Sequence, residues 1–110
     1  MSYKVSEEGN ISTVFLNGEI DMDVTDKAKA VIFPIIEKGK EVHINLKDVT
    51  YMDSSGISVL IESHQKAQEK NTKVILKDIS KPVLKVIMMA KLEQILNLGK
   101  CQYLNLKILL

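Results

Sequence analysis

At 110 residues, with 45% hydrophobic and 26% charged side chains, the chain has the composition of a globular protein and the length for one core, so residues 1–110 are expected to form a single domain. The formal net charge is +1 and the lysines run from Lys4 to Lys107 without a block, which excludes the concentrated basic face that nucleic acid requires. All 15 basic residues are lysine, so the planar fork that reads phosphate bidentately is missing; if phosphate matters here, the chain carries it rather than reads it.

In chain order, a short strand is expected at residues 3–6, across a Gly9–Asn10 turn from a β-branched strand at 11–18 that closes in a turn at Asn17–Gly18. A helix follows. Val24, Ala28, Val31, Ile32, Ile35 and Ile36 recur at helical spacing, with Asp23 as N-cap and Gly39 just past the end. Pro34 falls inside this pattern and is expected to disturb the last turn at a cost of about 3 kcal/mol unless compensated. Alternating Val42, Ile44 and Leu46 predict a second major strand over 41–49, ending at a turn-like Lys47–Asp48.

The stretch TYMDSSGIS (50–58) leads into a helix whose residues Ile57, Leu60, Ile61, His64 and Ala67 share one face, with Asn71 as its stop. Val59 falls roughly opposite Ile57, Ile61 and His64 on a helical wheel and is therefore expected to face solvent, either as part of a partner surface or as one of the isolated exposed valines common on proteins. A third strand is expected at 72–78. Ser80 as N-cap and Pro82 in the first turn then open a helix that puts Val83, Leu84 and Ile87 on one face. Residues 93–98 suit a last short strand. The tail, residues 100–110, is ambiguous, although Tyr103, Leu106 and Leu110 fit a helix. Strands alternating with helices predict an α/β fold, a mixed or parallel sheet with crossover helices.

Cys101 is the only cysteine, so no internal disulfide forms, which fits a reducing compartment. The opening MSYKVSEEGN lacks the apolar region of a signal peptide, and no apolar run approaches the roughly 18 residues of a membrane span. A cytoplasmic protein without a membrane or nucleic-acid partner is expected.

Asp53-Ser54-Ser55-Gly56 admits three chemistries. A serine nucleophile needs a histidine base held by a carboxylate, but His43 falls mid-strand and His64 on the apolar face of a helix, and no G-x-S-x-G elbow occurs. No phosphate-cradling glycine loop and no closed metal-ligand spacing is present, so enzyme readings are weak. A helix cap is the second chemistry, with Asp53 or Ser54 accepting first-turn N–H groups for about 1 kcal/mol. The third is a serine that is modified: phosphate adds roughly −1.5 to −2 charges, which a helix start tolerates, while Asp53, Asp21 and Asp23 oppose it. The residues alone leave Ser54 and Ser55 equal.

Gly18-Glu19-Ile20-Asp21 at the end of one strand, followed by Asp53-Ser54-Ser55-Gly56-Ile57 after the next, resembles the STAS domain, and more narrowly the single-domain anti-sigma factor antagonists of bacteria, across nearly the whole chain. The resemblance implies a STAS-like α/β sandwich, with a mixed, mostly parallel sheet and crossover connections. It implies a phosphoprotein that regulates transcription by partner switching and is not itself an enzyme. Unphosphorylated, it would bind an anti-sigma factor that doubles as a serine kinase, releasing the sigma factor; a serine phosphatase would reverse the modification. The resemblance assigns Ser54 as phospho-acceptor, Asp21 and Asp53 to its pocket, and Ser55 to the neighbouring hydroxyl position, and Gly56 completes the motif; Val59 is placed on the partner surface by the helical wheel alone. ATP belongs to the kinase, so no cofactor is expected, and the chain is expected to act as a monomer or weak dimer. Ser58 stands where the family often has glycine. A non-switching scaffold or sensor module of the same fold is the alternative.

Overall fold

In the computed structural model, which describes residues 3–92 and Leu96, β1 (Lys4–Glu8) and β2 (Ile11–Ile20) form an antiparallel hairpin. Gly9 takes φ +61°, the positive value that a two-residue II′ turn asks of its first central position. β2 then pairs in parallel with β3 (Glu41–Met52), and β3 with β4 (Val74–Lys77), so the strand order is β1-β2-β3-β4. Parallel neighbours cannot be joined by a tight turn. The crossovers are α1 (Thr25–Glu37) and α2 (Ser54–Glu69), and α3 (Lys81–Met89) follows β4. The α/β class and the mixed, mostly parallel sheet expected from the sequence are what the chain adopts.

Period-two alternation decides where the core lies. Val14, Leu16, Val42, Ile44, Leu46, Val74 and Leu76 are buried together with Ala28, Ile32 and Ile36 of α1, Leu60 and Ala67 of α2, and Val83 and Ile87 of α3. Each fully buried Leu or Ile contributes roughly 1.5–3 kcal/mol. Residues of the opposite sheet face, such as Thr13, Phe15, His43 and Ile75, are half-buried. Between the crossover helices Glu37 accepts from Lys66 at 2.9 Å, and Lys29 meets Glu62 at 3.2 Å. These are exposed pairs, screened by solvent, and add little to stability.

Several elements differ from the sequence expectations. Asn17–Gly18 does not end β2. Gly18 uses its positive φ of +72° inside the strand, beside a register shift between Gly18 and Glu19, and pairing continues to Ile20. Lys47–Asp48 likewise lies within β3, opposite a shift between Phe15 and Asn17, and β3 runs on to Met52. The buried positions on β3 consequently pass from Leu46 to Val49 to Met52 at intervals of three. Asp23 does not cap α1: the N-cap is Val24, without a side-chain bond, and Asp23 lies in the preceding turn, its N–H donating to Asp21 Oδ1 at 3.0 Å. Pro34 sits inside α1 on its exposed side, and Ala30, whose carbonyl loses its helical donor, is exposed as well. α1 stops as expected at Gly39, whose N–H donates to the Ile36 carbonyl at 2.8 Å and whose φ of +77° turns the following chain away from the helix axis. Ser80 occupies the N-cap position of α3 but makes no capping bond. The strand proposed for 93–98 lies outside the described residues except for Leu96, which is buried and donates its N–H to Leu92 at 2.9 Å. The tail 100–110 lies outside them entirely.

Candidate functional site

β2 and β3 are parallel and end in step, Glu19 opposite Tyr51 and Ile20 opposite Met52, so the segments after them emerge side by side. From β2 comes the turn to α1. Its Asp21 is half-buried and orders the turn twice, accepting the Asp23 N–H on Oδ1 and the Val24 N–H on its carbonyl at 3.1 Å. Burial first, and the Asp21 charge second, push the Tyr3 hydroxyl above its ordinary pKa, which places Tyr3 near Asp21.

From β3 the chain passes directly into α2 through Asp53. Its backbone is extended and its Oδ1 accepts the N–H groups of Ser55 at 2.9 Å and Gly56 at 3.3 Å. Between Asp53 and Ser54 as cap, the structure decides for Asp53. This occupation also revises the electrostatics expected from sequence: the first-turn donors that would welcome a phosphate already hold a carboxylate. Ser54, the first helical residue, is exposed, whereas Ser55 is half-buried. Ser58 donates its hydroxyl to the Ser54 carbonyl at 2.9 Å.

Gly56 is buried where helix meets strand. A Cβ there would stand 2.5 Å from Met52 Cγ and 2.7 Å from the Ile20 carbonyl oxygen, so only glycine lets the first turn of α2 lie against the ends of β2 and β3. The same contact brings the residue after Ile20, Asp21, to the start of the helix. Asp21, Asp53, Ser54, Ser55 and Gly56 are thus gathered at one end of the sheet.

Val59 does not join them. It is 1% exposed and part of the core, which overturns the expectation that it faces a partner. The buried face of α2 is centred on Gly56, Leu60, Ser63 and Ala67, which fall within about 60° of one another on the wheel, with Ile57 and Val59 flanking them on either side. Ile61 and His64, which shifted the expected face away from Val59, are only half-buried. Two exposed apolar residues that sequence reasoning missed do flank the site: Met22, 76% exposed in the β2–α1 turn, and Tyr51, 49% exposed on β3. Tyr51 was legible in principle, since strand alternation sends it opposite to buried Met52.

Neither histidine serves the serines. His64 is ten residues along α2 from Ser54, about 15 Å by helical rise. His43 lies nine residues before the end of β3, about 30 Å by strand rise, and meets Glu41 at 2.6 Å. Among the described residues no group of three or more His, Cys, Asp or Glu is placed to hold a metal ion, and no helix is long and apolar enough to cross a membrane.

The sequence model of the STAS domain matches residues 2–102. The chain belongs to the STAS domain family. A curated relative, the anti-sigma-B factor antagonist of Bacillus subtilis (strain 168), is 27% identical over 95 residues, covering 86% of this chain and 87% of its own length. Among solved structures, the anti-sigma factor antagonist SpoIIAA in its unphosphorylated form superposes with a TM-score of 0.75 at 19% identity, over 98% of this chain and 96% of that one. The Bacillus cell fate determinant SpoIIAA in its phosphorylated form gives 0.70 at 18% identity, over 99% and 100%. At these identities the two structures establish the shared STAS fold.

Proposed function

We propose that this STAS domain is an anti-sigma factor antagonist that switches partners through phosphorylation of Ser54. The observation that carries the reading is the setting of that serine: exposed, first in α2, on a helix start that Asp53 caps and Gly56 locks against the sheet. The resemblance selects Ser54 over Ser55, and their difference in exposure supports the same choice on physical grounds. The relative named as an anti-sigma-B factor antagonist supports the regulatory role, and the two forms of SpoIIAA support phosphorylation as its control.

In this reading the unphosphorylated chain docks on an anti-sigma factor that is also a serine kinase, with Asp21, Asp53, Ser55 and Gly56 shaping the surface around Ser54. The kinase transfers the γ-phosphoryl group of ATP to Ser54 Oγ; the hydroxyl proton leaves and ADP remains on the kinase. The new phosphate then faces the ADP phosphates and stands beside Asp53, so like charge and a hydrated group divide the complex. A phosphatase hydrolyses the ester and restores the first state. The chain contributes no catalytic group, and acts in the cytoplasm as a single domain, residues 1–110.

The test is incubation of the purified protein with the anti-sigma factor kinase of its own organism and ATP, then peptide mapping by mass spectrometry. One phosphate at Ser54, absent in Ser54→Ala, is expected, and Ser54→Asp should lose kinase binding. Phosphate at another residue, or equal binding by Ser54→Ala and Ser54→Asp, would sink the reading, the second outcome in favour of a non-switching scaffold.

A further inference from the structure

With Val59 in the core, the apolar contribution to a partner surface near Ser54 must come from elsewhere. Large apolar side chains exposed among the described residues are Val5, Met22, Tyr51 and Met89, and two of them border the site. Tyr51 precedes Ser54 by three residues, so their Cα atoms are at most about 11 Å apart. Met22 comes three residues after Glu19, and Glu19 lies opposite Tyr51, which puts Met22 within about 16 Å of Tyr51 by chain reach and strand spacing. One side of a standard interface, about 800 Å², is a disc of roughly 16 Å radius. By chain reach, the Cα atoms of all three fall within one such disc centred on Tyr51.

Charge around the disc is lopsided. Segments 17–27 and 47–55, which span the ends of β2 and β3 and the starts of α1 and α2, hold Glu19, Asp21, Asp23, Asp26, Asp48 and Asp53 against only Lys27 and Lys47, in a chain of net charge +1. At the end of β4, on the other side, Lys77 and Lys81 outweigh Asp78, so the acidity is concentrated at the ends of β2 and β3. Lone exposed apolar residues are ordinary on a protein surface. A methionine and a tyrosine within one acidic field, beside an exposed serine hydroxyl, are a matched set: tyrosine is enriched among residues that dominate interface energy, and methionine adapts to irregular pockets.

We propose that Met22 and Tyr51 are the apolar anchors of the surface around Ser54, and that the partner is a protein whose docking face is an apolar pocket rimmed by lysine or arginine. This rests on the reading above, that a partner docks over Ser54. The anchors hold the complex together, and the carboxylates steer its formation.

The test measures association of the full-length, unphosphorylated protein with the purified anti-sigma factor kinase of the same organism, by surface plasmon resonance at low and physiological salt. Met22→Ser and Tyr51→Thr, both at exposed positions and with threonine keeping strand propensity, are expected to weaken affinity about tenfold each, mainly through faster dissociation. The double variant Glu19→Gln, Asp23→Asn should bind more slowly and lose much of the salt dependence, and Met89→Ser should bind as wild type. Unchanged affinity in Met22→Ser and Tyr51→Thr, while Ser54→Asp abolishes binding, would overturn the anchors and leave the functional reading standing. Failure of the wild-type protein to bind at all would overturn both.

Discussion

Replacing Gly56 with alanine would set a methyl group 2.7 Å from the Ile20 carbonyl oxygen, about 0.7 Å inside the 3.4 Å at which ordinary contact begins. The second clash, 2.5 Å to Met52 Cγ, is with a flexible side chain that can rotate away. The carbonyl cannot: it belongs to the end of β2, where Ile20 pairs with Met52. Relief therefore requires the start of α2 to move off the sheet. Overpacking of this kind costs about 1–3 kcal/mol, and alanine recovers at most about 1 kcal/mol through helix propensity. With a backbone clash that cannot rotate away, the cost falls in the upper part of that range, for a net loss of about 1–2 kcal/mol. At roughly 4–8 °C per kcal/mol for a domain near this size, Tm should fall by about 5–15 °C. Circular dichroism melts would measure it, with urea titrations checking that the m-value is unchanged. A Tm equal to or above that of wild type would refute the packing argument, and with it the claim that Gly56 fixes the position of Ser54.

Three further outcomes are expected. Asp53→Ala should lose about 1 kcal/mol of stability with its two capping bonds while Asp53→Asn keeps most of it, as compared by urea denaturation; equal losses would show that charge, not capping, sets the role of Asp53 in the fold. Val59→Ala should cost about 2 kcal/mol because the side chain is buried, whereas a melt identical to wild type would restore the solvent-facing placement. Hydrogen bonds from Lys66 and Lys70 hold the Glu37 carboxyl below its ordinary value of 4.5, so its contribution is present above that pH and is lost as pH falls through the lowered folded value. The Tm gap between wild type and Glu37→Gln should shrink below pH 4.5, and a gap independent of pH would count against the ion pair.

The places where the chain departed from its sequence pattern have specific causes. Asn17–Gly18 carries the chemistry of a turn, but a positive φ serves a bulge equally well, and parallel pairing to β3 determined which. Asp21 and Asp23 both suit the start of α1. The turn after β2 is closed by Asp21, which accepts the N–H groups of Asp23 and Val24, and the helix starts after it with Val24 as N-cap. In α2 apolar Ile61, grouped with His64 on the wheel, pulled the expected buried face away from Val59, yet the helix packs through Gly56, Ser63 and Ala67, small residues that hydropathy underweights and that permit close approach. Ser63 itself is buried without penalty because its hydroxyl donates to the Val59 carbonyl at 2.7 Å.

The alternation of strands and helices, and the segment that carries the candidate site, were determined by the sequence by itself, because periodicity and capping chemistry act over a few residues. The tertiary structure decided which side chains of that segment are available. Parallel pairing brings the end of β2 beside the end of β3, and so sets Asp21 and exposed Met22 near Ser54, more than 30 residues away along the chain. The close seat of Gly56 on Ile20 fixes the roll of α2, and that roll buries Val59 and leaves the Ser54 hydroxyl in water. Such contacts join residues distant in sequence, and no local pattern records them.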